Sequence, residues 1–175
     1  MSREFQPVGI AVLTVSDTRT LEDDKSGQTL ADRIISDGHK LFGRAIVKDD
    51  VRAIRAQIKE FVGDKNVDVV ITTGGTGLTG RDVTVEAARG LFEKEIEGFG
   101  VIFHLISFQK IKTSTMQSRA TAGIVKGKYV FCLPGSPGAC RDGWDEILRY
   151  QLDYRHMPCN FVEIMPRLSE HLRLK

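Results

Sequence analysis

Five short polar runs in this 175-residue chain hold the residues able to do chemistry. The densest is Thr72-Thr73-Gly74-Gly75-Thr76-Gly77, followed after Gly80 by Arg81-Asp82-Val83-Thr84. Its glycines can take positive φ, so backbone N–H groups can turn toward a bound anion, and its threonines add hydroxyls. The others are Ser16-Asp17, Lys48-Asp49-Asp50, Ser118-Arg119 and Leu133-Pro134-Gly135-Ser136-Pro137. A glycine loop with carboxylates nearby suits a phosphate-bearing ligand, and Asp50 and Asp82 are a pair that could hold Mg²⁺.

Two familiar motifs overlap the loop and neither fits. Gly75-x-Gly77-x-x-Gly80 has the spacing of a dinucleotide fingerprint, which requires a following strand that ends in a ribose-binding acid. The charged stretch Glu93-Lys94-Glu95-Ile96-Glu97 does not supply one. Gly75 to Gly80 also has the outer spacing of a P-loop, but Arg81-Asp82 follows where Lys and then Ser or Thr belong. A carboxylate there repels phosphate unless a cation lies between them. Structural roles compete with the chemical ones: a tight turn explains glycines, and a lone acid such as Asp50 ahead of a helix is ordinarily its cap.

The elements that must position these runs follow from the apolar pattern. Val8–Val15, Phe42–Val47 and Val69–Ile71 read as buried strands, each ending just before one of the polar runs. Between them lie a helix capped by Ser26, running through Leu30, Ile34 and Ile35 to Gly38, and a helix over Val51–Val62. Asp82 and Thr84 are cap-type residues for a helix that takes in Val85–Arg89. Ala122–Val125 and Tyr129–Leu133 flank a Lys126-Gly127-Lys128 turn and predict a hairpin, which puts one antiparallel strand into an otherwise parallel sheet. A helix from about Ala139 to Tyr154 and a short edge strand at Phe161–Ile164 complete an α/β pattern. Phe99, Phe103 and Ile106 share one face of a further helix and Val101, Leu105 and Phe108 share another. A helix apolar on both sides is buried on both, which predicts a homo-oligomer.

Composition narrows the function classes. The formal net charge is +2, with acids and bases mixed, so no field favours nucleic acid or a membrane surface. The first residues lack a signal-peptide core and no apolar run approaches a membrane span. A soluble, intracellular (cytoplasmic) protein is expected. Cys132, Cys140 and Cys159 are too few and scattered for a disulfide framework. His156 and Cys159 alone do not make a zinc site. No repeat or linker divides residues 1–175, so one domain is expected.

Taken in order, Ser16-Asp17, Asp50, Thr72–Gly77 with Arg81–Thr84, Ser118-Arg119 and Leu133–Pro137 resemble the MogA/MoaB family of molybdenum cofactor biosynthesis proteins. The resemblance runs from about Val8 to His156. It implies a three-layer αβα fold with a mostly parallel central sheet, assembled as trimers or hexamers, that binds molybdopterin and works beside other proteins of molybdenum cofactor biosynthesis. Active members are adenylyltransferases (nucleotidyltransferases): they move AMP from Mg-ATP to the terminal phosphate of molybdopterin and release pyrophosphate. On this resemblance Asp50 and Asp82 are the catalytic, Mg²⁺-holding carboxylates. Gly74, Gly75, Thr76, Gly77, Ser118 and Arg119 surround the pterin phosphate, Ser16, Asp17, Gly135 and Ser136 line the remaining walls, and Thr73, Arg81, Thr84 and Pro134 complete the substrate-binding set. A non-catalytic molybdopterin-binding or assembly protein of the same pathway is the alternative.

Overall fold

Gly9–Val15 forms β1, buried along its whole length. Successive side chains of a strand point to opposite faces, so Ile10 and Val12 enter one core cluster while Ala11, Leu13 and Val15 enter the other. β2 (Lys40–Val47) and β3 (Val69–Thr73) flank β1, both parallel to it. β6 (Lys128–Leu133) runs parallel to β3. β5 (Thr121–Val125) is antiparallel to β6 across the expected hairpin, where Lys126 and Gly127 take φ of 50° and 71°; that left-handed pair matches the twist of a two-residue hairpin. The charged stretch contributes only a two-residue edge strand, β4 (Lys94–Glu95). The sheet order is β2-β1-β3-β6-β5-β4. In this computed structural model residues 3–172 are described; residues 1–2 and 173–175, the ends of the expected domain, lie outside the described residues.

Helices cover both faces, giving the expected three layers. On one side α1 (Lys25–Ser36), α4 (Glu97–Ile111), α5 (Pro137–Gly143) with its π turn at Trp144–Leu148, and α6 (Arg149–Gln151) bury Leu30, Ile34, Phe99, Phe103 and Trp144. On the other, α2 (Val51–Gly63) and α3 (Thr84–Arg89) bury Ile54, Ile58, Phe61, Ala87 and Ala88. Truncating Ile58, fully buried, to Ala would cost about 3 kcal/mol. Among the described residues no helix is long and apolar enough to cross a membrane.

Several local expectations are corrected. Asp24, not Ser26, caps α1, accepting from Gly27 N at 2.9 Å; Ser26 is buried inside the helix. Ile35 points outward, 59% exposed, because the inward face is set by Leu30 and Ile34 four residues apart. Neither Asp82 nor Thr84 caps α3, whose N-cap is Val83. The helical run begun by α5 ends at Gln151 rather than Tyr154. Phe161–Ile164 is a helical turn, α7, not an edge strand: the Asn160 side chain accepts from Glu163 N at 2.9 Å and starts a helix there.

The topology decides where a ligand can sit. α1 connects β1 to β2 on one side of the sheet, and α2 connects β2 to β3 on the other. Chain direction therefore diverges between the neighbours β1 and β3, opening a crevice beyond their carboxyl ends. Ser16 follows β1 at that crevice and Gly74 follows β3.

Candidate active site

The loops after β1, β3 and β6 are knitted together at the crevice. Gly74 leaves β3 at φ +100°, and a Cβ on it would lie 2.3 Å from Val15 O, so only glycine lets the β3 loop pass the end of β1. Gly75 follows at φ +68°, where a Cβ would sit 2.2 Å from Thr84 Oγ1. Thr84 N donates to Gly75 O (3.0 Å) and Thr84 Oγ1 to Gly74 O (2.8 Å), tying the start of α3 to the loop. On the β6 side Gly74 N donates to Leu133 O (3.1 Å) and Thr73 Oγ1 to Pro134 O (3.0 Å). Thr73, Thr76 and Thr84 are buried, and the Thr73 and Thr84 hydroxyls shape the loop through these bonds. Ser136 caps α5, its hydroxyl accepting from Ala139 N at 3.1 Å.

Two carboxylates face the loop. Asp82 Oδ2 accepts from Thr79 N (2.9 Å) and Thr79 Oγ1 (2.7 Å), and lies 2.6 Å from where a Cβ on Gly77 would be. Burial opposes its charge, but the Thr79 bonds, the Gly77 N–H and the Arg119 charge outweigh burial and hold this carboxyl below the usual range. The second carboxylate is Asp49, whose Oδ1 is 3.2 Å from the position of a Cβ on Gly75. Burial, and then the charge of Asp82, push the Asp49 carboxyl up. Asp50 is engaged elsewhere: its Oδ1 accepts from Ala53 N at 2.8 Å as the N-cap of α2. The acid beside Asp82 is therefore Asp49, one residue before the position expected from the sequence. The capping rule carries part of this signal, since an Asp that caps the following helix has one carboxylate oxygen turned onto that helix.

Charged partners frame this pair. Asp17 Oδ1 accepts from Asp49 N at 3.2 Å, and its other oxygen pairs with the Arg81 guanidinium, linking the β1 loop to the segment after the glycine loop. The Ser16 hydroxyl is turned back onto its own loop, accepting from Thr18 N (3.3 Å) and Arg19 N (3.2 Å). Arg119 is a brace. Its guanidinium donates to Gly77 O (2.9 Å), Thr76 O (3.3 Å) and Asp82 O (3.2 Å), and it pairs with Glu86. Ser118 Oγ is buried without a hydrogen-bond partner among the described residues. It lines a cavity of about 710 Å³ together with Arg119 and with Val101, His104, Leu105 and Phe108 of α4.

Residues 11–154 match the family model described as "Probable molybdopterin binding domain". The chain is 49% identical over 161 residues to molybdenum cofactor biosynthesis protein B of Escherichia coli K12, covering 92% of this chain and 95% of that protein. This chain belongs to the MogA/MoaB family. Solved structures in that family share its architecture. A crystal structure of molybdenum cofactor biosynthesis protein B superposes with a TM-score of 0.82 at 38% identity, covering 99% of this chain and all of that one. The tungsten cofactor synthesizing protein MoaB of Pyrococcus furiosus gives 0.74 at 32% identity, covering 96% and 98%.

The folded chain brings Thr73, Gly74, Gly75, Thr84 and Pro134 into contact, with Asp17, Arg81, Asp82 and Arg119 around them. Asp50 caps α2, and Asp49 is the acid next to the Gly75 turn. Among the described residues no group of three or more His, Cys, Asp or Glu side chains could hold a metal. All three cysteines are free; Cys132 and Cys140 are buried, and burial pushes each thiol up to about 11.

Proposed function

We propose that this protein acts in molybdenum cofactor biosynthesis by binding molybdopterin against the Gly74–Gly77 loop and transferring AMP from Mg-ATP to its terminal phosphate, with release of pyrophosphate. The supporting observation is the Asp49–Asp82 pair, two carboxylates flanking one glycine loop, Asp49 Oδ1 3.2 Å from the Cβ position of Gly75 and Asp82 Oδ2 2.6 Å from that of Gly77. Such a pair fits Mg²⁺, which takes one or two carboxylates and completes its shell with water and phosphate oxygens. The ion, when bound, supplies neutralisation of phosphate charge. Asp49 and Asp82 would hold it. Backbone N–H groups of Gly75 and Thr76 hold the substrate phosphate, while the Gly77 N–H holds Asp82 and Thr73, Thr84 and Arg119 keep the loop in shape. Ser16, Asp17, Arg81, Pro134, Gly135 and Ser136 form the walls that align the two substrates. Because the substrate phosphate is itself the attacking group, alignment and charge stabilisation are what the protein must contribute.

The same reading covers assembly and place. Val101, Leu105 and Phe108 of α4 are exposed while Phe99 and Phe103 are buried, the division expected of a helix shared between the core and a second copy, which supports a trimer or hexamer; a single domain and a cytoplasmic location belong to the same proposal. Other proteins of molybdenum cofactor biosynthesis supply its substrate and take its product. The test is pyrophosphate release by the purified protein, which should need molybdopterin, ATP and Mg²⁺ together. Binding of molybdopterin without release would make this a non-catalytic binding or assembly member of the pathway.

A further inference from the structure

We propose that Arg19 is a positioning residue that fixes the Gly135–Ser136 wall of the pocket to the loop after β1. The proposal rests on the pocket assigned above, but its geometry lies outside the glycine loop and the carboxylate pair. Behind that wall sits Asp24, 2% exposed. Its carboxylate accepts from Thr14 Oγ1 (2.6 Å), Gly27 N (2.9 Å) and Arg44 Nη2 (3.0 Å). Arg44 thus neutralises Asp24 at close range, and Arg19, 3.9 Å away, is a second cation held at the edge of the cluster.

Arg19 uses that anchorage to reach across the crevice. Its Nη1 donates to Ser26 Oγ (3.2 Å), its Nη2 to Gly135 O (3.2 Å), and its backbone N–H to Ser16 Oγ (3.2 Å). One residue therefore joins the β1 loop, the start of α1 and the β6 loop. Only a planar fork with several donors meets Ser26, Asp24 and Gly135 at once; a lysine brings the charge as a single point. Gly135 immediately precedes Ser136, whose hydroxyl and carbonyl start α5 through Ala139 N (3.1 Å) and Cys140 N (3.0 Å). Fixing the Gly135 carbonyl fixes the turn that lines the pocket. Losing it should widen the pocket while the Asp49–Asp82 side stays intact, so substrate binding weakens more than the chemical step does.

Arg19→Ala and Arg19→Lys in the full chain test this by two readouts. In hydrogen exchange of the free protein, Arg19→Ala should speed the Ala139 and Cys140 amides roughly tenfold, as for loss of one charge-assisted hydrogen bond, with the β3 amide of Ile71 unchanged. In steady-state adenylyl transfer, KM for molybdopterin should rise about tenfold with kcat within about twofold, the pattern of lost binding rather than lost transition-state contact. Arg19→Lys should restore neither value fully. Unchanged exchange at Ala139 and Cys140, equal acceleration at Ile71, wild-type behaviour of Arg19→Lys, or a fall in kcat at constant KM would each overturn the proposal. If the wild-type protein makes no adenylylated product, the assigned function has failed, and the exchange measurement alone decides the role of Arg19.

Discussion

Asp49 and Asp82 meet one glycine loop at its two ends, Asp49 Oδ1 lying 3.2 Å from the Cβ position of Gly75 and Asp82 Oδ2 2.6 Å from that of Gly77. The two acids are shifted in opposite directions: Asp49 upward by burial and by Asp82, Asp82 downward because its hydrogen bonds and Arg119 outweigh burial. Relative to the unfolded chain, folding therefore binds a proton more readily at Asp49 and less readily at Asp82. The stabilising contribution of Asp49 is present below the ordinary carboxylate pKa and is lost as pH rises through its raised folded value. That of Asp82 is present above the ordinary value and is lost as pH falls through its lowered one. At neutral pH without Mg²⁺, Asp49→Asn should raise Tm and Asp82→Asn should lower it. Thermal melts of the two variants across pH 3–8 check both signs.

Asp50→Ala removes a helix cap, with its carboxylate on Ala53 N, and should cost about 1 kcal/mol of stability while leaving turnover near the wild-type rate. Urea unfolding and a turnover assay on the same preparation test this. Loss of turnover with stability unchanged would return Asp50 to the site.

Arg119 holds three backbone carbonyls of the loop region and pairs with Glu86. Arg119→Ala should cost about 2 kcal/mol of stability, the scale of hydrogen bonds to a charged group, and weaken molybdopterin binding. Arg119→Lys should recover little of either, since an ammonium cannot reproduce the fork. Calorimetric titration beside denaturant melts separates loop bracing from direct phosphate contact. Weakened binding at wild-type stability would favour direct contact.

On α4, Leu105 and Phe108 are 62% and 45% exposed. Leu105→Glu with Phe108→Glu should convert a wild-type trimer or hexamer to monomers, read by light scattering, while the far-UV circular dichroism stays unchanged. A monomeric wild-type protein at micromolar concentration would contradict the assembly proposed.

Much of the fold was legible because its signals are local. β1 and β3 are β-branched runs that nothing else explains, and Lys126-Gly127 fixes the hairpin. Misreadings occurred where a long-range partner or helix phase decided the outcome. Ser26 looks like a cap, but the bonds of Asp24 to Thr14 and Arg44 settle the chain's entry into α1 two residues earlier. Phe161–Ile164 suits strand or helix by composition, and the Asn160 side chain, with the Tyr129 hydroxyl on Phe161 O (2.9 Å), selects a helical turn. Likewise the pair Asp49-Asp50 was visible as chemistry, but which acid faces the loop depends on where α2 begins.

Formation of adenylylated molybdopterin from molybdopterin and Mg-ATP, with Asp82→Ala and Asp49→Asn alongside, decides whether the carboxylate pair at the glycine loop carries adenylyl transfer. The wild-type protein should form product and release pyrophosphate, and both variants should fold, bind molybdopterin and turn over at least about 100-fold more slowly, the scale of losing an electrostatic group from the transition state. Wild-type turnover in both variants, or no product from the wild-type protein under saturating Mg²⁺, would contradict it.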